Sequence, residues 1–291
     1  MMHMHLIGLV LAIAIVVRQL SRPIKASDGQ TIDWQARWHR ALVAFVGPPL
    51  SLLATTVAIV TMGRHSCHAW EGWLSYAVAV LFFTGALGCW IDLAWRAVQT
   101  QRESQSYPLQ TIPTGLGKMT GRVMPVSAVF SAQVGLWSSC LVVSEGLLSC
   151  LDKTHLDAVF AHEAGHAYYR DTFWFFWLGG LRRLTGWLPH SESLWQELLL
   201  LREVRADHWA TQSVDSLVLA ESLMSVVSAP LMATEAVCAG FSCAAPRSRL
   251  AQRVDALLTD SRVGSFGLSP RQWMALTLAL TPLLTIPFHH P

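Results

Sequence analysis

The chain is poor in charge and in the short motifs that announce phosphate, nucleophile or disulfide chemistry. Asp, Glu, Lys and Arg make up 14% of its 291 residues and the formal net charge is +2, which offers no basic field to a nucleic acid. Gly115-Leu116-Gly117-Lys118 has neither the spacing nor the Ser/Thr of a phosphate loop, and Gly264-Ser265-Phe266-Gly267 is not a nucleophile elbow. Six cysteines, Cys67, Cys89, Cys140, Cys150, Cys238 and Cys243, contain no CxxC pair. Most fall in segments expected in the membrane or the cytoplasm, so reduced thiols are the expectation. No internal repeat is apparent.

Apolar residues fill the space that charge leaves. The chain is 52% hydrophobic with 13 Trp and a mean hydropathy of +0.38, the composition of an integral membrane protein. Apolar runs suited to about 30 Å of hydrocarbon lie at Met2 to Val17, Ala41 to Met62, Trp73 to Trp95 and Arg271 to Phe288. The first lacks a basic leader and a clear cleavage site, so it reads as a retained anchor. Arg18, Arg22, Lys25, Arg37 and Arg40 separate the first two runs, whereas the next loop carries only Arg64. The excess of basic residues places the first loop in the cytoplasm, and with it everything between the third and fourth spans. The segment Thr172 to Leu188 holds Trp174, Trp177 and Trp187 but also Gly179, Gly180, Arg182 and Arg183. It is a poor span, and an interfacial amphipathic helix or a buried soluble helix fits it better.

The chemistry is announced at His162-Glu163-Ala164-Gly165-His166. On an α-helix the i and i+4 side chains share a face, so two imidazoles there can bind one Zn²⁺ while the carboxylate between them addresses a water. Thr154-His155-Leu156-Asp157 is a plausible capping box, and Leu156, Val159 and Phe160 lay an apolar stripe into the motif. Ala161, Ala164 and Gly165 keep the helix surface small, which allows a second backbone to approach.

A catalytic zinc site needs a third protein ligand. Glu203, on a helix that starts at Ser191 and runs without Gly or Pro, supplies it, and Asp207 one turn later is placed to accept the spare ring N–H of a ligand histidine. The competing reading is a solvated charged face in which Glu203 and Asp207 pair with Arg202 and Arg205. His65, Cys67 and His68 cluster in an outer loop but lack a second group of ligands.

Between Pro125 and Asp260 the chain resembles membrane-embedded gluzincin zinc peptidases, on His162-Glu163-x-x-His166 followed by Glu203-x-x-Ala206-Asp207, the run Leu141 to Leu148, Ala158 to Glu163, and Arg170-Asp171. Two groups compete: the antirepressor-type sensor peptidases (BlaR/MecR-like) and the HtpX-like and CAAX-prenyl-protein proteases. The latter usually carry two spans between the metal helices, and their apparent absence here favours the antirepressor branch.

The apolar runs give about four transmembrane helices, and with them the resemblance implies a mainly α membrane protein. A cytoplasmic zincin-like α+β metallopeptidase domain with a small β-hairpin, expected from Ala128 to Val143 around Gly135, completes it. Domains are expected at 1–97 (three spans), 98–265 (a polar linker, Gln99 to Pro125, then the metallopeptidase domain) and 266–291 (a last span).

It also implies one catalytic Zn²⁺ on His162, His166 and Glu203, and Glu163 as general base. An edge strand would hold an extended substrate, although a hairpin that only covers the core is equally tenable. The late His-Pro pair of HtpX-like relatives is replaced by Ala245-Pro246 ahead of Arg247, Arg249 and Arg253. Transition-state donors are therefore candidates only: Arg247, Arg253, Tyr168 and Tyr169.

The expected partners are the lipid bilayer, the plasma membrane of a bacterium, and a protein or peptide substrate such as a transcriptional repressor, with no nucleic acid and an oligomeric state left open. No extracellular sensor domain is expected. Membrane-protein quality control, prenyl-peptide processing and a catalytically idle zinc scaffold are the alternatives. An intramembrane protease is set aside, because Asp152 to Asp171 is too polar for a span and no Leu-Asp-Gly string occurs.

Overall fold

The structure, a computed structural model, describes residues 2–21, 33–63, 70–115, 117–228, 249–259 and 269–288. Its two compact units are Met1–Ile91 with Gly180–Leu198 and Gly264–Pro291, and Asp92–Gly179 with Leu199–Val263.

Three long helices, α1 (Met2–Leu20), α2 (Trp34–Met62) and α3 (Trp70–Ser106), begin the chain. All three are long and apolar enough to cross a membrane, the only such helices among the described residues. Leu9, Ile13 and Val16 on α1 and Leu81, Ile91 and Trp95 on α3 are exposed, the outward faces expected against lipid rather than water. Inside the first unit, Ala58, Ile59, Met62 and Ala79 form a core with Ile7, Leu283 and Ile286 packed on it. Pro48 and Pro49 lie inside α2. Because Pro49 has no N–H, the carbonyl of Phe45 loses its helical donor. Arg18 Nη2 replaces that donor at 3.0 Å, with the guanidinium over the Phe45 ring.

The fourth expected span takes another form. Pro270–Leu278 is a nine-residue helix (α10), followed after a turn by a 3-10 helix at Thr281–Phe288. Pro282 has no N–H to donate to the Leu278 carbonyl, and the chain changes from α to 3-10 geometry there.

The second unit is α+β. Strands β1 (Leu109–Thr114), β2 (Gly117–Met124), β3 (Ser131–Val134) and β4 (Cys140–Ser144) form a sheet in the order β1-β2-β4-β3. β1 and β2 pair antiparallel, β2 and β4 parallel, and β3 and β4 antiparallel. The expected hairpin around Gly135 is β3-β4. Gly135 has φ +130°, and a Cβ there would meet the Ser138 carbonyl at 2.3 Å. The stretch read as a linker, Gln99 to Pro125, is instead the end of α3 and the β1-β2 hairpin. Its polar residues belong to strands with a solvent-facing side, and Asp157 carboxylate oxygens accept from the Gly115 N–H at 2.8 Å.

Helices α4 (Glu145–Cys150), α5 (Lys153–Tyr168), α6 (Asp171–Thr185), α7 (Ser191–Ala210), α8 (Ser216–Ser228) and α9 (Leu250–Leu258) complete the described chain. The cap of α5 is Asp152, which accepts from His155 N at 2.9 Å, rather than Thr154. Asp157 is therefore free for Gly115. α5 is the central helix of this unit. Val159 and Phe160 pack on Ile112, Val123, Leu141 and Val143 of the sheet, while Ala158 and Ala161 pack on Leu219 and Leu223 of α8. Each large apolar side chain so buried stabilises the unit by roughly 1.5–3 kcal/mol. Gly180 does not break α6. A Cβ there would collide with Trp90 Nε1 at 2.2 Å, so the glycine makes room for the indole.

Candidate metal centre

The site depends on how closely two helices approach. Gly165 faces α7, where a Cβ would stand 3.1 Å from Cα and 3.2 Å from the carbonyl oxygen of Ala206. Helix surfaces this small bring backbones together and let one-turn-spaced side chains from both helices reach a common point. α5 contributes His162 and His166, and α7 contributes Glu203.

The three donors converge. His162 Nε2 and His166 Nε2 are 3.1 Å apart, His162 Nε2 is 3.4 Å from Glu203 Oε2, and His166 Nε2 is 3.6 Å from Glu203 Oε1. Among the described residues, these three are the group of His, Cys, Asp or Glu that meets a metal-holding arrangement. Tetrahedral zinc with bonds of about 2.0–2.1 Å requires donor-donor edges of about 3.4 Å, and the observed distances bracket that value. The residues present fit the ion.

Each imidazole turns its other nitrogen to a carboxylate. His166 Nδ1 lies 2.7 Å from Asp171 Oδ2, and His162 Nδ1 lies 2.8 Å from Asp207 Oδ1, with the oxygen off the line of the ring N–H. Such partners leave Nε2 free to bind a metal and raise ligand basicity. Asp171 reaches His166 across the short turn between α5 and α6, in which Arg170 has φ 53°. That conformation costs a non-glycine residue about 1–2 kcal/mol and lets α6 begin with Asp171 beside the last turn of α5.

Arginines form the next layer. Arg202 Nη2 donates to Glu203 Oε1 at 2.7 Å, and Arg205 pairs with Asp171. Arg253 of α9 donates Nε to Asp207 Oδ2 at 2.8 Å and Nη2 to Oδ1 at 2.7 Å, and its Nη1 is 3.2 Å from Glu203 Oε2. Glu203, Asp207, Asp171 and all three arginines are buried, so the solvated-face reading of α7 does not hold. Burial favours the neutral carboxyl of Glu203, yet Arg202, His166 and Arg253 hold it well below the usual carboxylate range. For Asp207, burial is outweighed chiefly by Arg253. Burial also opposes protonation of His162, but the Asp207 carboxylate, aided by Glu203, raises its pKa to about 9 in the metal-free protein.

Glu163 is buried beside this cluster, and its Oε2 has no hydrogen-bond partner. An acceptor left bare in a polar interior is costly and suits a group whose partner is a reacting water. The Tyr169 ring covers the Arg205 guanidinium, with 4.3 Å from Cζ to the ring centroid, and Tyr168 stacks on Trp209. Arg247 lies outside the described residues, as do His65, Cys67 and His68. Asp171, Arg202 and Arg205 went unassigned to the site in the sequence. The signals for Asp171 are its place five residues after His166 and its part in the Arg170-Asp171 pair that carries the resemblance.

The model of Peptidase family M48 matches residues 118–188. The match runs from β2 through the His162 to His166 turn and stops before α7, so it supports an M48 metallopeptidase without reaching Glu203 or Asp207. No curated protein and no solved structure matches the chain.

Proposed function

We propose that the chain is a membrane-anchored zinc endopeptidase that hydrolyses peptide bonds of a protein at the cytoplasmic face of a bacterial plasma membrane. The observation that carries this reading is the convergence of His162, His166 and Glu203 at zinc-like spacings beside Glu163, whose Oε2 has no hydrogen-bond partner. The family match over the same turn supports it, and the three long apolar helices support the membrane setting.

His162, His166 and Glu203 would hold one Zn²⁺. When bound, the ion supplies Lewis-acid polarisation of the scissile carbonyl and acidifies a water. Glu163 accepts the proton of the attacking water at its free Oε2 and delivers it to the departing amine. Asp171 and Asp207 keep both imidazoles turned with Nε2 inward, so neither ring reorganises during the reaction. Arg253 donates to Asp207 and approaches Glu203, which supports a part in holding the ligands in place.

A repressor in the cytoplasm is the substrate that the antirepressor resemblance suggests, and turnover of membrane proteins is the one that the HtpX-like resemblance suggests. The test compares the wild type with Glu163→Gln in detergent by metal analysis and in cells by proteomics of membrane and cytosolic fractions. Equal zinc in both, with cleavage products only for the wild type, is the expected result. Identical peptide profiles would leave a zinc scaffold in place of an enzyme, and products confined to one fraction would choose between the two substrate classes.

A further inference from the structure

We infer that Trp137, Trp174 and Trp177, together with Arg170, form a platform that seats the metal-bearing unit at the headgroup level of a phospholipid bilayer. Trp137 lies between β3 and β4 and is 70% exposed, while Trp174 and Trp177 on α6 are 58% and 42% exposed. Phe173 joins them into one surface: its ring centroid is 5.2 Å from that of Trp137, 5.2 Å from that of Trp174 and 6.3 Å from that of Trp177. Arg170 lies over the Phe173 ring, with Cζ 5.6 Å from its centroid, and donates through Nη2 to the Trp137 carbonyl at 3.3 Å.

On the opposite side of α6, Phe175, Phe176 and Leu178 are buried. Over its first two turns the exposed residues of α6 are therefore aromatic, where a helix facing water carries polar residues, and Arg183 is exposed in its last turn. A contiguous exposed apolar surface marks a contact with something other than solvent.

The chemistry of the surface selects lipid. Indoles pair an apolar body with a polar N–H edge and concentrate at bilayer interfaces, and a guanidinium among them suits lipid phosphate. Three helices of the same chain are long and apolar enough to cross a membrane, so a bilayer is within reach. α6 itself has 15 residues, too few to span hydrocarbon and suited to lying along its boundary. The platform is independent of the peptide-bond chemistry, since none of its four side chains is a metal donor. Asp171, which follows Arg170 directly, holds His166. A seated platform therefore brings the metal centre to peptide segments that lie at the membrane surface.

The test uses the full chain in phosphatidylcholine and phosphatidylglycerol vesicles, with the photoreactive residue p-benzoylphenylalanine at position 137 or 174. Gln212, an exposed residue of the same unit, serves as the control position. Lipid adducts severalfold more abundant at 137 and 174 than at 212 are expected. Yields no higher than at 212 overturn the platform, and adducts to another protein or within the chain would give the surface to that partner.

A second measurement avoids the unnatural residue. In vesicles containing brominated phosphatidylcholine, the combined change Trp137→Phe, Trp174→Phe and Trp177→Phe should remove part of the quenchable tryptophan emission while zinc content stays at the wild-type level. Quenchable emission equal to that of the wild type overturns the proposal.

Discussion

Gly165 and Ala206 meet backbone to backbone, and a side chain at position 165 tightens that contact: an added Cβ would stand 3.1 Å from the Ala206 Cα and 3.2 Å from the Trp209 Cβ. Both neighbours belong to α7, so a shift of a few tenths of an ångström between the two helices relieves the contact. Gly165→Ala improves helix propensity by roughly 1 kcal/mol, but overpacking of about 1–3 kcal/mol opposes it. The displacement falls on the donor spacing between His162 and Glu203. Zinc retention against a competing chelator should drop while helix content holds. Retention equal to that of the wild type would mean that the two helices have slack at the site.

Arg253 serves two buried carboxylates at once, with a bidentate bond to Asp207 and an Nη1 contact to Glu203. Removing one partner of such a group leaves charges without compensation in the interior and costs about 3–5 kcal/mol. Arg253→Ala should therefore lower the thermal midpoint in detergent well below that of the wild type. Arg253→Lys keeps the charge without the planar fork and should fall between the two. If the alanine and lysine variants melt with the wild type, Arg253 does not brace the site.

Asp171 and Asp207 hold different histidines, and their conservative amides separate charge from shape. Asp171→Asn and Asp207→Asn keep an acceptor oxygen near each ring but lose the charge that raises ligand basicity, and each should weaken zinc binding by roughly 10–100-fold. Asp171→Asn also strips Arg205 of its counterion, so its melting temperature should drop as well. Isothermal titration of apo protein with zinc, beside a melting curve for each variant, reads both effects. An unchanged affinity would remove the altered carboxylate from its supporting position.

Local patterning carried most of what the sequence revealed. His162, Glu163 and His166 are readable because helical period and ligand chemistry coincide within five residues, and Glu203 because an uninterrupted apolar helix presents it one turn before Asp207. The three long helices were equally legible from hydropathy. What escaped depends on contacts between distant segments. Asp171 reaches the site across a turn in which Arg170 is left-handed, a conformation that no propensity assigns to arginine. Arg202 and Arg205 look like surface charges until Glu203 and Asp171 bury them. The β1-β2 hairpin was hidden because strands with a wet face are written in polar residues. The last apolar run is divided between a nine-residue α-helix and a 3-10 helix that contains Pro282, a division that hydropathy does not register.

Protons and zinc compete for His162, and the sign of that competition is fixed. In the metal-free protein burial opposes the imidazolium, but Asp207 and Glu203 prevail and lift its pKa from 6.5 to about 9. A raised folded-state value contributes stability that is fully present below pH 6.5 and is lost as pH rises through about 9. The apo protein should therefore lose on the order of a few kcal/mol across that window. Zinc binding shows the opposite trend, because the ligand nitrogen has to be deprotonated first. Apparent zinc affinity should climb by about tenfold per pH unit below pH 9 and then level off, with about one proton released per ion. Chelator-competition titrations from about pH 7 upward, corrected for the chelator's own protonation, measure the slope, and Asp207→Asn should flatten it by lowering the His162 value. A wild-type affinity that stays level through this range would show that the Asp207 carboxylate leaves His162 neutral and ready to bind before the ion arrives.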